Sequence, residues 1–377
     1  MDVSKPLALL GALSPQQFMK RHWQKKPLLI RQAVPGMQPL LSRDELFAVA
    51  AQDGMESRLV QHTPGKTGPG WRMRRGPFAR RALPALKTPG WTLLLQGMDL
   101  QHEAVHALMQ QFAFVPMARL DDLMISYATD GGGVGPHFDS YDVFLLQVHG
   151  RRRWRIGSQT DLSLQPDVPL KILSNFTPQQ EFVLEPGDML YLPPRYAHDG
   201  VALGECMTYS VGFRAPSQGE LARELLQRLT DDDEEGAAGA LFRDPGQAAV
   251  DQPGAIPAAL QDFAAQAVAR ALRQPQAMQR ALGEYLTEPK STVWFDALHA
   301  AAALPHAVRL DRRTRMMYDS HHVFINGESY RAGGRDARLM RQLADRRQLG
   351  PRELAGASGD ALSLLGAWLE AGWLHGA

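Results

Sequence analysis

The stretch Gly135-Pro136-His137-Phe138-Asp139-Ser140-Tyr141-Asp142-Val143-Phe144-Leu145-Leu146-Gln147 decides how the chain is read. In an extended strand alternate residues share a face, so His137 and Asp139 point the same way and can offer a nitrogen and an oxygen to one ion. Tyr141 shares that face. A third ligand must arrive from a distant strand, and His198 qualifies. It follows the turn Glu185-Pro186-Gly187-Asp188 and the apolar run Met189-Leu190-Tyr191-Leu192, which ends in Pro193-Pro194-Arg195-Tyr196-Ala197-His198. A lone His-x-Asp is common by chance; the combination carries the reading. His22, His62, His306, His321 and His322 have no such context and read as surface or packing residues.

Two histidines and a carboxylate leave neighbouring positions of a metal open, the arrangement that suits non-heme Fe(II) oxygenases. Past Gln147, the run Val143–Val148 meets His149-Gly150 and then Arg151-Arg152-Arg153-Trp154-Arg155-Ile156, which reads as a hairpin with a glycine turn. Alternation puts Arg151, Arg153 and Arg155 on one face and Arg152, Trp154 and Ile156 on the other. The face with Trp154 and Ile156 is the inner one, so Arg152 lies inside. A buried guanidinium without a partner costs several kcal/mol. The distal carboxylate of 2-oxoglutarate would match its fork bidentately, the alternative being an internal ion pair with Asp142 or Asp188.

The same parity selects other inner residues. Asp122, Met124 and Ser126 share a face, with Ser126 a partner for the cosubstrate carboxylate. Asp122 is placed to receive a cationic substrate side chain, with Met124 and Tyr141 as further substrate contacts. Thr208, Ser210 and Gly212 alternate on a late strand, and Ser210 faces the site. Cys206, the one cysteine, reads as a buried hydrophobe and excludes a disulfide framework.

Working outward, three regions separate by texture. Residues 1–216 alternate short β-rich runs with Gly/Pro punctuation, after a helical entry at Ser14–Gln24, and predict a sandwich or barrel. Residues 217–290 are helical, opened by the capping box Ser217/Glu220 and continued by Ile256–Arg273 and Gln276–Leu286, with an acidic linker at Asp231–Glu235. Residues 291–377 combine a strand-like Val323-Phe324-Ile325, closed by Asn326-Gly327, with helical runs at Asp336–Asp345, Pro351–Ala355 and Asp360–Ala371. The net charge of +1 over 377 residues gives no global sign of a nucleic-acid binder. The apolar stretch Pro6–Leu13 is too short to span a membrane and follows Asp2 and Lys5, so a soluble cytoplasmic protein is expected.

Several long stretches, in order, resemble the bacterial JmjC-type oxygenases of the cupin superfamily, in particular the ribosomal-protein arginine hydroxylases. They are His22-Trp-Gln-Lys-Lys-Pro-Leu28, Asp121-Asp-Leu-Met-Ile-Ser126, Gly131-Gly-Gly-Val-Gly-Pro-His-Phe-Asp-Ser-Tyr-Asp-Val-Phe144, Gly150-Arg-Arg-Arg-Trp-Arg-Ile-Gly157, Glu185-Pro-Gly-Asp188 and Tyr209-Ser-Val-Gly-Phe-Arg-Ala-Pro216. The resemblance implies a double-stranded β-helix (a jelly-roll JmjC barrel) with N-terminal helices in 1–216, dimerisation helices in 217–290 and a winged-helix-like domain in 291–377. It further implies Fe(II), 2-oxoglutarate and O2 as cofactors, with Arg152 gripping the 2-oxoglutarate. It implies β-hydroxylation of an arginine in a large-subunit ribosomal protein, by a homodimer. Two rivals come from other classes. One is a cupin-type metalloenzyme that does not use 2-oxoglutarate; Arg152 counts against it. The other is a ligand-sensing regulator. No direct DNA binding is expected, because Asp360–Ala377 contains no Lys or Arg.

Overall fold

The computed structural model describes residues 2–63, 70–231, 241–249, 252, 254–272, 276–297, 304–331 and 333–377. The chain divides into two compact units, Met1–Ala215 and Pro216–Ala377.

In the first unit, α1 (Pro15–Arg21) starts at a capping box. Ser14 Oγ accepts from the backbone of Gln17, whose side chain accepts from the backbone of Ser14. After β1 (Leu28–Ile30), α2 (Arg43–Ala50) opens the same way on Ser42 and Glu45. There follow β2 (Ser57–His62), β3 (Trp71–Arg75), β4 (Trp91–Leu95), α3 (Met98–Gln101), α4 (Glu103–Gln110), β5 (Leu120–Ala128), β6 (Val143–Gly157), β7 (Gln180–Leu184), β8 (Met189–Leu192) and β9 (Ala197–Phe213). The strands form one antiparallel sheet in the order β1-β8-β6-β9-β5-β4-β2-β3, with β7 also on β6.

The hairpin expected at Gly150 is instead a single strand. β6 pairs with β9 on both sides of that glycine, from Val143↔Gly212 to Gly157↔Ala197, with register shifts between Gln147 and Arg151. From Gln147 to His149 β6 advances two residues against one on β9, and from His149 to Arg151 two against four, irregularities that bend the strand. Gly150 has φ +59°, and a Cβ on it would stand 2.0 Å from the carbonyl oxygen of Glu205, so only glycine fits. Below the bend, β6 lies between β8 and β9; above it, between β7 and β9. This switch of neighbours folds the sheet into a double-stranded β-helix. A positive-φ glycine between two apolar runs serves a tight turn and a bulge equally well, which is why the sequence reads either way. The parity nevertheless holds: Arg152, Trp154 and Ile156 are buried, Arg151 is exposed, and Arg153 and Arg155 are intermediate.

The two faces of the sheet bury different things. Phe144, Leu146, Met189 and Tyr191 face the helices, where Phe18 of α1 meets the ring of Tyr191 edge-on at 4.9 Å. Val143, Leu145, Trp154, Ile156, Leu184, Leu190 and Leu192 form a separate inner cluster that builds the barrel wall.

In the second unit, α5 (Gln218–Asp231) opens on the predicted Ser217/Glu220 box, with bonds of 3.1 and 3.4 Å. It is followed by α6 (Ala258–Ala271) and α7 (Ala277–Thr287). The acidic linker beyond Asp231, and Arg273, lie outside the described residues. Strands β10 (Val308–Leu310), β11 (Met316–Tyr318), β12 (His322–Ile325) and β13 (Glu328–Arg331) precede α8 (Gly334–Arg346), β14 (Gln348–Leu349), α9 (Pro351–Ala355), α10 (Gly359–Glu370) and β15 (Leu374–Gly376). Asn326 and Gly327, both at positive φ, turn β12 into β13. A core around Ile325, Leu343, Leu365 and Trp368 is fully buried.

Candidate metal centre

His137 and Asp139 lie in an extended segment that touches the sheet at one point, rather than in a full strand. His137 and His198 exchange backbone hydrogen bonds of 2.9 and 2.8 Å, and the amide of Arg195 donates to the Asp139 carbonyl at 2.7 Å. That lacing fixes both ligands against the start of β9. Ligand atoms of His137, Asp139 and His198 all lie within 4.8 Å of one another, as an ion between them requires. Each imidazole Nδ1 sits 2.9 Å from a carbonyl, that of Gly135 or that of Tyr196. Nδ1–H is the donor there, so each Nε2 keeps its lone pair for a metal. Burial, and then the nearby His137, push the His198 imidazole down to about 4. The ring is therefore neutral at pH 7, the form a metal needs.

A cavity of about 200 Å³ opens beside the three ligands, and all nine candidate residues line it: His137, Asp139, His198, Arg152, Ser126, Ser210, Asp122, Met124 and Tyr141. Arg152 is 5% exposed. Its one hydrogen bond runs from Nη1 to Ser126 Oγ at 3.3 Å, and its Nε and Nη2 are buried without a partner among the described residues. Neither alternative acid serves it. Asp142 is taken by Tyr191 at 2.5 Å, Gln24 at 3.1 Å and Arg119 at 3.5 Å, and Asp188 by Arg31 at 2.6 Å and the backbone of Gln32 at 3.0 Å. On the outer face Arg155 pairs with Asp199 at 2.6 Å. A bidentate carboxylate is what the open fork of Arg152 fits.

Asp122 is 4% exposed, and one of its oxygens accepts from the amide of Gly97 at 2.9 Å. Its carboxylate is thus partly committed to the start of α3. Tyr141 stands at the rim, 38% exposed; desolvation and the carboxylates of Asp139 and Asp122 hold its phenol well above the usual range. Ser210 is buried on β9 and Cys206 is buried among Ala128 and Ala202. Sequence reasoning missed Thr92, Leu94 and Gln96, which also line the cavity. The available signal was the alternation through β4, with a polar residue two positions either side of Leu94. Thr92 Oγ1 is buried with no partner among the described residues.

An antiparallel double-stranded β-helix that carries a His-x-Asp and a distant histidine beside an inner basic residue is the arrangement of a JmjC-type protein, and the family comparison agrees. Residues 107–221 match the family model described as "JmjC domain", and residues 269–375 the one described as "ROXA-like winged helix". The ribosomal protein uL16 3-hydroxylase of Escherichia coli (strain K12) is 37% identical over 280 residues, 72% of this chain and 71% of the relative. The chain belongs to the JmjC-type ribosomal oxygenase family. The X-ray structure of E. coli ycfD superposes with a TM-score of 0.80 at 30% identity, covering 96% of this chain and 98% of that one. YcfD in complex with cobalt and 2-oxoglutarate gives 0.76 at 31% identity, over the same shares of each chain.

Proposed function

We propose that this chain is an Fe(II)- and 2-oxoglutarate-dependent oxygenase that hydroxylates the β-carbon of an arginine side chain in a large-subunit ribosomal protein. The observation that carries the reading is the open, buried fork of Arg152 beside a His-Asp-His donor set. The donor set has the make-up of a non-heme iron site, and the fork has that of a dicarboxylate clamp. The relatives support both: one is named a uL16 3-hydroxylase, and another was solved with a divalent metal and 2-oxoglutarate.

His137, Asp139 and His198 would hold the iron. Arg152 and Ser126, with Ser210 nearby, would fix the distal carboxylate of 2-oxoglutarate. With O2, these groups supply an oxidation that converts 2-oxoglutarate to succinate and CO2 and puts the second oxygen atom into a C–H bond. The protein contributes geometry. Val143, Leu145 and Trp154 wall the cavity with apolar surface and exclude water. Asp122 offers a negative charge to a guanidinium that stays protonated, and Tyr141 and Met124 flank it. Such a clamp would orient the arginine side chain in the cavity without any acid–base step by the protein.

The exposed apolar residues of the second unit support a homodimer. Leu260, Val268 and Leu272 recur at multiples of four along α6, and Ile256 just ahead of it is 67% exposed. We assign dimerisation to residues 217–290 and the winged-helix-like domain to 291–377. Among the described residues no helix is long and apolar enough to cross a membrane, and a ribosomal-protein substrate supports a cytoplasmic location. The test is mass spectrometry of large-subunit ribosomal proteins from cells with and without this gene. One arginine should carry an extra oxygen atom only when the gene is present; identical spectra would refute the reading.

A further inference from the structure

Between Glu56 and Asp99 the chain has no acidic residue and eight Lys or Arg, in a protein whose overall charge is only +1. The fold gathers six of them on one border of the first unit. β3 pairs only with β2 and so forms the free edge of the sheet. Arg72, Arg74 and Arg75 on that edge are exposed, as are Arg80, Arg81 and Lys87 in the segment that follows. None of the six forms an ion pair among the described residues. Arg74 donates to the Ala82 carbonyl at 2.6 Å and lies over the Phe78 ring, and Arg80 lies over Phe47, so the guanidiniums are held in place without being neutralised. Charged side chains on a free edge also hinder strand-to-strand aggregation, a role that does not require six cations without counter-ions.

The edge also continues the face of the cavity. Ser126 pairs with Leu94, Leu94 with Arg58, and Arg58 with Arg75, one row across four strands. Paired residues share a face, so Arg58 and Arg75 extend the side of the sheet that Ser126 and Leu94 present to the cavity. Three steps of about 4.8 Å put the edge roughly 14 Å from Ser126. Arg58 bridges the distance, donating to Gln96 at 3.0 Å and approaching the Met124 sulfur at 3.9 Å; both partners line the cavity. Trp71, at the head of β3, packs so close to Gly135 that a Cβ there would meet its ring at 3.0 Å. On β3 only Arg75 takes that face; Arg72 and Arg74, paired with Gln61 and Leu59, take the other, so the basic edge reaches the cavity side through Arg75 and continues round the free edge to the opposite face.

We propose that this border is a binding surface for the phosphate backbone of RNA, so that the enzyme engages its target while the target is held on ribosomal RNA. A set of cations without counter-ions fits a polyanion and repels a basic protein, and the choice of RNA among polyanions rests on the substrate class proposed above. Phosphate contacts of this kind carry affinity without sequence preference and release counter-ions on binding.

The test uses the full-length protein, a fluorescently labelled single-stranded RNA, and vesicles containing an anionic phospholipid. Wild type is expected to bind the RNA with steep salt dependence. The triple variant Arg72→Gln/Arg74→Gln/Arg75→Gln should lose at least about ten-fold in affinity at low salt. Its log–log salt slope should be shallower by about two, since each phosphate contact on a single strand contributes about 0.7. Arg80→Gln/Arg81→Gln, off the strand, should weaken binding as well, which separates the effect from any damage to β3. Turnover of a short free arginine peptide should be unchanged in both variants. Absence of RNA binding by wild type, equal binding by the variants, or binding to the vesicles and not to RNA would each overturn the proposal. Should wild type bind RNA but leave the peptide unmodified, the functional reading fails while the surface stands.

Discussion

The molecule buries two charges of opposite sign in two regions and treats them in opposite ways. In the second unit Asp311, 3% exposed, accepts from Arg313 Nε and backbone at 2.8 Å each and lies 2.7 Å from His375 Nε2. In the barrel Arg152, 5% exposed, makes a single long bond to a serine and leaves two nitrogens without a partner among the described residues. Most buried polar groups are satisfied where only folding is at stake. A saturated ion such as Asp311 is structural, and an open one such as Arg152 beside a cavity is arranged for a ligand.

That contrast can be broken experimentally, and the largest effect belongs to the metal ligands. His198→Ala or His137→Ala should abolish iron-dependent turnover while leaving the fold largely intact, because the packing of the strands does not require the metal. Full activity in either variant would end the site assignment.

Next come the two buried charges themselves. Asp311→Ala should destabilise the second unit by about 3–5 kcal/mol, the usual cost of leaving a buried ionic partner alone. Burial raises the Asp311 carboxyl, but hydrogen bonds from Arg313 and His375 overcome it and hold the group well below 3.8. Its contribution to stability is therefore complete above that pH and lost as pH falls through the lower folded value. Asp311→Asn should flatten this acid-side dependence in a pH series of melts. Arg152→Ala should behave in the opposite sense: no loss of melting temperature, but a weakening of 2-oxoglutarate binding by about 2–5 kcal/mol, read as a raised apparent KM. A destabilised Arg152→Ala with normal cosubstrate kinetics would reverse the comparison.

Smaller effects sharpen it. Asp122→Asn should slow hydroxylation of an arginine peptide by one to two orders of magnitude, the worth of about 1.5–3 kcal/mol for a hydrogen bond to a charged group. Succinate formation without peptide should persist, since Arg152 and Ser126 are untouched. Normal hydroxylation by Asp122→Asn would move the arginine pocket elsewhere. Asp199 and Glu205 are poor substitutes, being paired with Arg155 at 2.6 Å and with Arg43 at 3.1 Å. Arg151→Ala, on the exposed face, should change neither binding nor turnover measurably.

The barrel and its ligands were legible because strand alternation is a strict rule. Once Trp154 fixes the inner face of β6, parity places Arg152 on it, and on β5 parity puts Asp122, Met124 and Ser126 on one common face. Parity says nothing of where a strand bends, so the Gly150 bulge passed for a hairpin until the pairing of both halves with β9 was known. It also failed for β4, where Trp91, Thr92, Leu93, Leu94 and Leu95 are all buried and both faces look alike from composition. The saturation of Asp142 and Asp188 was unreadable for a different reason: their partners Arg119, Gln24 and Arg31 come from distant parts of the chain. The helix start at Ser217 was legible from its capping box, whereas the box at Ser42 and Glu45 that opens α2 passed unread.

The central claim is that the barrel uses 2-oxoglutarate to put one oxygen atom on an arginine side chain. Its most direct test is tandem mass spectrometry of an arginine-containing large-subunit ribosomal peptide, incubated with the purified chain, Fe(II), 2-oxoglutarate and isotopically heavy O2. One heavy oxygen is expected on the β-carbon of a single arginine, with succinate formed in equal amount and both products lost in Arg152→Ala. Oxygen incorporated without 2-oxoglutarate, or succinate formed with every arginine unmodified, would contradict it.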